Sequence, residues 1–382
     1  MKKPKVVFTF VEAGMGHIAP MTGMSRAFTE KYGDKCEIVN TYIFSESKNE
    51  KVVEMGKALV AHTKKTAFNR LYNRIEAFSY AIHSKIILKI LDLNFRKQRK
   101  HFFNEFKDLK PDLLVSSYYK PSHLAAQANK MGLSDTLIAT YTPDPYVYPA
   151  WDRDCSIYIV NNHQAKKIAL KKGFKKEQVK QVPFIFNDAF LKDQVSKDVA
   201  RETLNIDKDE FVVLITNGAY GSNNTKKLIK EILKDNVNAK IICACGKDAE
   251  LLEYINNNKG ERNVEAIGYT NRLNDYMIAS DLVVGKGGAN TLMEASYVYK
   301  PMIICDRANR LEEIIAKFGQ KEGLAIIETK PKKVIQIIKD EIEGRTHFEN
   351  FYESAKKYCD DTGAERAADE LFALLKTRYP EL

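Results

Sequence analysis

The chain has 382 residues, 44% of them hydrophobic and 29% charged, and carries a net charge of +10. That length fits two domains with cores of their own, and the composition excludes a disordered or collagen-like chain. No apolar run approaches the ~20 residues of a membrane-spanning helix, no apolar leader precedes the first strand, and the six Cys and seven His lack Cys-x-x-Cys and His-x-x-x-His spacing, so a reduced, cytoplasmic protein without a structural metal is expected.

Lys5–Phe10 is an apolar, β-rich run and predicts a strand. Glu12-Ala13-Gly14-Met15-Gly16-His17 then forms a Gly-rich turn, and Met21, Met24, Ala27 and Phe28 recur at helical spacing after it. No third glycine completes a dinucleotide fingerprint. An imidazole near its ordinary pKa takes a proton from a hydroxyl at neutral pH, so His17 is a candidate general base. A helix-capping histidine is the alternative at the same position.

Glu37–Tyr42 predicts the next strand, and residues 64–107 follow with eleven Lys and Arg against Glu76, Asp92 and Glu105, plus eight Phe and Tyr. Phe68, Leu71, Ile75, Phe78, Ile82, Ile86, Ile90 and Leu93 fall on one helical face, with Arg70, Arg74, Lys97 and Lys100 among the surrounding cations. A basic amphipathic stretch with aromatics suits an anionic bilayer surface. A solvated face of a core helix has the same pattern. Nucleic acid fits poorly, because no recognisable nucleic-acid module accompanies the charge. Residues 1–190 hold 31 Lys and Arg against 18 Asp and Glu, whereas residues 191–382 hold 29 against 32. A basic half beside a mildly acidic one points to an anionic surface as partner of the first half.

Further strands are expected at Leu113–Ser116, Thr136–Thr140, Ser156–Val160, Phe211–Thr216, Lys240–Ala244, Asn263–Ile267, Leu282–Val284, Met302–Cys305 and Leu324–Ile327, with Lys-rich helical segments between most of them. This alternation predicts doubly wound parallel sheets. Pro183, Asn187 and Asp188 interrupt it near residues 186–200, which places a domain boundary there. A second Gly-rich turn, Asn217-Gly218-Ala219-Tyr220-Gly221-Ser222, opens the second half, and a last helix is expected at Ala364–Leu375.

Residues 281–296 are the most informative stretch: Asp-Leu-Val-Val-Gly-Lys-Gly-Gly-Ala-Asn-Thr-Leu-Met-Glu-Ala-Ser. Gly285, Gly287 and Gly288 let backbone amides approach a ligand, and the following helix N-terminus directs partial positive charge to the same spot. Glu294 lies inside that helix, where a carboxylate accepts hydrogen bonds from a ribose diol while the turn holds a diphosphate. The combination suggests nucleotide-sugar chemistry.

These turns resemble the GT-B glycosyltransferases, and within them family 28. The N-terminal Gly14-Met15-Gly16-His17 resembles the family's Gly-x-Gly-His turn, and Asp144 with Trp151 resembles its Thr-Asp…His-x-x-Trp stretch. Gly218-Ala219-Tyr220-Gly221 matches the turn opening the C-terminal domain, Gly268-Tyr269 the Gly-Tyr/Phe step, and Gly288-Ala289-Asn290-Thr291-Leu292-Met293-Glu294 the Gly-(Gly/Ala)-x-Thr-x-x-Glu motif. Lys286 stands where the lipid-glycosylating branch commonly has Lys. The diacylglycerol glycosyltransferase branch is the best match. Pro143 replaces the family Thr, Tyr148 stands where His is common, and Arg307-Ala308-Asn309-Arg310-Leu311-Glu312-Glu313 replaces the Gly-Gln-Glu type run that meets the donor sugar.

The resemblance implies a GT-B fold, two Rossmann-like doubly wound α/β domains facing a cleft. Residues 1–190 would bind acceptor and membrane, residues 191–360 the nucleotide sugar, and residues 361–382 would form a helix packing back on the first domain. It implies an inverting, UDP-sugar-dependent hexosyltransferase acting on a membrane lipid hydroxyl such as diacylglycerol, at the cytoplasmic face. His17 would be the base, with Asp144 as second candidate. Gly16, Gly218, Gly221, Ser222, Gly268, Tyr269, Lys286, Gly288, Ala289, Asn290, Thr291 and Glu294 would bind the nucleotide sugar, with no cofactor and no metal. Gly16-His17-Ile18-Ala19-Pro20 also resembles the family 1 turn of small-molecule glycosyltransferases. UDP-sugar 2-epimerases share the fold, and a non-catalytic binding module is the remaining alternative.

Overall fold

The computed structural model describes residues 3–10, 15–42, 96–191, 194–216, 223–235, 237–307 and 309–382. The chain divides into two compact units, Met1–Asp188 with Asp361–Leu382, and Ala189–Asp360.

In the first unit, β1 (Lys5–Thr9), β2 (Glu37–Thr41), β3 (Leu113–Ser116), β4 (Leu137–Thr142), β5 (Ile157–Val160) and β6 (Val179–Gln181) lie in the order β2-β1-β3-β4-β5-β6. Every neighbouring pair is parallel. The inner strands are apolar on both faces because helices cover both. Val6, Phe8, Leu113, Val115, Ala139, Tyr141, Ile157 and Ile159 pack with the helices Met15–Tyr32 and Gly363–Lys376. Val7, Leu114, Ile138, Tyr158 and Val160 pack on the other side with the helices Arg96–Leu109, Tyr119–Lys130 and His163–Lys171. The last helix sets Ala364, Ala367, Ala368, Leu371, Phe372 and Leu375 into this core, a spacing that puts all six on one face. A Cβ on Gly363 would lie 2.5 Å from the carbonyl oxygens of Pro183 and Phe184, and the Phe372 ring stacks on Tyr32 at 3.9 Å.

In the second unit, β7 (Val212–Thr216), β8 (Lys240–Gly246), β9 (Val264–Gly268), β10 (Leu282–Lys286), β11 (Met302–Asp306) and β12 (Ala325–Ile327) form a parallel sheet in the order β12-β11-β10-β7-β8-β9. Buried Arg201 fastens the preceding helix Lys197–Thr203 to it, donating to the carbonyl of Ala279 at 3.0 Å and to Asp281 at 2.8 Å.

Two differences from the sequence reading have simple causes. β6 is an edge strand reading Val-Lys-Gln, and it lacks the apolar run that marks the inner strands. β10 runs on through Gly285 and Lys286, because β7 and β11 flank it; Gly285 pairs with Thr216 on one side and Ile304 on the other.

Both sheets place a ligand-binding edge by topology. In open α/β sheets ligands bind beyond the carboxyl ends of the strands, where the strand order reverses. That point falls between β1 and β3 in the first unit and between β7 and β10 in the second. The segments after those strands carry His17, Ser117 and Gly288.

Candidate active site

His17 lies in the first turn of the helix after β1. Its Nδ1 is 2.9 Å from the carbonyl oxygen of Ser117, just beyond β3, and the Ser117 hydroxyl donates back to the His17 carbonyl at 2.8 Å. A carbonyl only accepts, so the proton sits on Nδ1 and Nε2 keeps its lone pair. Among the described residues nothing bonds to Nε2. The ring meets Tyr118 edge-on at 5.2 Å. Burial lowers the imidazole pKa below 6.5, outweighing the Ser117 bond that raises it. The imidazole is therefore neutral at pH 7. Among the described residues, a Cβ on Gly16 would meet nothing within 4 Å.

Asp144 follows β4, one strand further along the same edge. Its loop is held on both sides, by Asn161 donating to the Pro143 carbonyl at 2.6 Å and Gln164 to that of Pro145 at 3.0 Å. Burial pushes the Asp144 carboxyl up to about 7. No hydrogen bond or ion pair joins it to His17 among the described residues. Trp151, from the same loop, is buried in the core.

In the second unit the three glycines after β10 separate into different roles. A Cβ on Gly285 would come within 2.8 Å of the Thr216 carbonyl oxygen, and one on Gly287 within 2.7 Å of the Glu312 carbonyl oxygen. Internal packing therefore demands those two glycines, independently of any ligand. Of the three, Gly288 alone opens outward among the described residues, its nearest neighbour there being Thr291 Oγ1 at 4.0 Å. Gly288 is also the N-cap of the helix Ala289–Tyr297 and supplies no side-chain cap. Among the described residues no side chain caps the first-turn amides of Ala289, Asn290 and Thr291, which favours an anion.

Glu294 sits one turn further along that helix, half-buried. Among the described residues nothing donates to its carboxylate, and burial pushes its pKa up to about 7. A desolvated carboxylate without a donor is an open hydrogen-bond acceptor. Lys286 Nζ lies 2.9 Å from Glu312 Oε1, on the helix Arg310–Lys321. Gly268 ends β9 at the sheet edge, about three interstrand spacings or ~14 Å from β10. The Tyr269 ring after it is 69% exposed, with Lys247 Nζ 5.6 Å from its centre.

Several expected residues lie outside the described ones: Gly218, Gly221 and Ser222 of the second Gly-rich turn, and Arg70 and Arg74 of the basic stretch. Lys97 and Lys100 belong to the helix Arg96–Leu109, where Lys100 is exposed while Phe102 and Phe106 are buried in the core. Two of the aromatics counted in that stretch are thus core residues and unavailable to a bilayer. Ser117 and Glu312 do not stand out in the sequence: a Ser-Ser pair ending a strand is the signal for the first, and the second lies in the 307–313 run that departs from the family pattern.

Residues 212–368 match the glycosyltransferase family 28 C-terminal domain. The chain is 25% identical over 342 residues to a processive diacylglycerol beta-glucosyltransferase of Staphylococcus saprophyticus, covering 87% of this chain and 83% of that one. Among solved structures, Acinetobacter baumannii MurG superposes with a TM-score of 0.63 at 13% identity, over 97% of this chain and 100% of that one. The calicheamicin glycosyltransferase CalG4 gives 0.61 at 14% identity, over all of both chains. A UDP-GlcNAc 2-epimerase from Neisseria meningitidis bound to UDP-GlcNAc gives 0.58 at 14% identity, over 98% and 100%. The fold is GT-B, and the family 28 C-terminal domain with the relative from Staphylococcus saprophyticus makes the chain a glycosyltransferase.

Proposed function

We propose that this GT-B glycosyltransferase transfers a hexose from a UDP-sugar to a hydroxyl of a membrane lipid, with diacylglycerol the first choice of acceptor. The single observation that carries the donor side is the pairing of an outward Gly288 N-cap with a half-buried Glu294 six residues on, which has no donor among the described residues. The turn suits a diphosphate and the carboxylate a ribose diol. The acceptor side rests on the diacylglycerol-glucosylating relative and on the basic first half of the chain.

His17 Nε2 would take the proton of the acceptor hydroxyl. The acceptor oxygen then forms a bond to the anomeric carbon as that carbon's bond to the UDP oxygen breaks, and the electron pair leaves with UDP. A single displacement of this kind inverts the anomeric centre. The Nδ1–H bond to Ser117 holds the ring in the required tautomer and stabilises the imidazolium that forms. Lys286 and the first-turn amides would take the charge of the departing diphosphate, so no metal is required by this scheme. Among the described residues, no group of three or more His, Cys, Asp or Glu could hold a metal ion, and no helix is long and apolar enough to cross a membrane. Attachment would be peripheral, at the cytoplasmic face.

The test is direct. Purified protein is incubated with UDP-glucose, UDP-galactose and UDP-GlcNAc, each with diacylglycerol in mixed vesicles, with and without EDTA. Mass spectrometry should find glycosyl-diacylglycerol in at least one mixture, unaffected by chelation. Product on soluble aglycones alone favours the family 1-like reading. An altered UDP-sugar formed without acceptor favours the epimerase.

A further inference from the structure

The end of β10 and the turn after it are braced against the end of β11 and the helix Arg310–Lys321 in three places. Gly287 N–H donates to the Asp306 carbonyl at 3.0 Å. The Gly287 Cα lies against the Glu312 carbonyl, leaving no room for a Cβ. Lys286 Nζ pairs with Glu312 Oε1 at 2.9 Å. Glu312 itself is fixed, since the Asn309 side chain caps its backbone N–H at 2.9 Å. Its side chain is only 10% exposed, against 37% for Lys286. A carboxylate this buried has little water to take the place of its ion pair, so losing the pair would leave a costly uncompensated charge. Among the described residues, Glu312 is the sole side-chain partner of Lys286.

The consequence is electrostatic. An uncapped helix N-terminus and a free ammonium beside it would hold a nucleoside diphosphate tightly. A fixed carboxylate on the ammonium removes much of that attraction. We infer that Glu312 is a positioning residue that holds Lys286 at the diphosphate turn and attenuates its charge, so that the spent nucleoside diphosphate is released. Release of product limits turnover in many enzymes, and a site of this kind is where that limit would be set. The inference rests on the proposed placement of the donor diphosphate at Gly288 and Lys286.

Calorimetry with UDP at two salt concentrations, with thermal melts, tests it on wild type, Glu312→Gln, Glu312→Asp, Lys286→Met and the double variant Lys286→Met/Glu312→Gln. Glu312→Gln should bind UDP at least about fivefold tighter, as expected when a unit charge near the phosphates is removed. Its steady-state kcat should fall while single-turnover transfer persists, and Glu312→Asp should restore wild-type affinity. Lys286→Met should weaken UDP, and the double variant should recover a similar factor over it, which keeps the question open to measurement if Glu312→Gln does not fold. A folded Glu312→Gln with unchanged or weaker UDP affinity, or a double variant no tighter than Lys286→Met, overturns the inference and leaves the donor site standing. An effect on UDP-sugar binding without one on UDP also overturns it, and makes Glu312 a reader of the hexose. If Lys286→Met binds UDP like wild type, the donor placement itself fails.

Discussion

Replacing Glu294 by Gln keeps the size of the side chain and removes its charge. In the free protein the carboxylate has no donor among the described residues and is raised to about 7 by burial. At pH 7 about half the molecules therefore carry the anion, which lowers apparent affinity only about twofold. Ribose hydroxyls donating to the anion are worth ~1.5–3 kcal/mol each, against ~0.5–1.5 kcal/mol for the neutral bonds an amide can make. The difference, about 1–1.5 kcal/mol for one such bond, corresponds to roughly five- to tenfold in Kd, and two bonds would take it beyond that. Titration calorimetry with UDP at pH 7.5 measures it, with a melting curve to show the fold is intact. The sign of the pH dependence follows from the raised pKa. Ionisation becomes complete as pH rises through 7, so wild-type UDP affinity should increase from pH 6 to 8 by more than that of the variant, which has no carboxyl to titrate there. Comparing the two cancels the titration of UDP's own phosphate. A variant Kd within twofold of wild type would refute the reasoning and leave Glu294 as a helix residue that packs beside the turn.

His17→Ala should keep UDP affinity within a few-fold and lower kcat by ~10²-fold or more, the size expected for loss of a general base. Burial lowers the His17 pKa, so the acid limb of wild-type kcat/KM should lie below pH 6.5; a limb above it, or a variant that turns over normally, transfers the role of base to Asp144. Gly287→Ala, whose Cβ would press on the Glu312 carbonyl at 2.7 Å, should cost about 1–3 kcal/mol of stability in chemical denaturation, whereas Gly288→Ala should melt like wild type and bind UDP less well. Replacing Arg70, Arg74, Lys97 and Lys100 with Gln should weaken sedimentation with anionic vesicles, each basic residue contributing ~1 kcal/mol near such a surface; unchanged binding would mark the stripe as a solvated face.

Local signals decided much of this protein. Apolar runs bounded by Gly, Asn and Asp located eleven of the twelve described strands to within a few residues, because strand formation in a doubly covered parallel sheet needs a short continuous apolar segment. The same punctuation marked the turns after β1 and β10, and their position at strand ends already implied a ligand-binding edge. β6 escaped because an edge strand needs no such run. What the chain could not disclose locally depends on atoms brought together across it. The His17 tautomer is set by a carbonyl 100 residues away, and no pattern around His17 encodes that partner. Three adjacent glycines look equivalent in sequence, yet Thr216 and the Glu312 backbone claim two of them and leave Gly288 alone to open outward. The carboxyls of Glu294 and Asp144 are shifted by burial, a property of the packed interior around them. Lys286 acquires its carboxylate partner only when β10 and β11 pair side by side and bring the helix after β11 against the Gly287 turn. Local propensity places the elements; the charge and proton state of the groups at their ends follow from which distant residues the packed fold sets beside them.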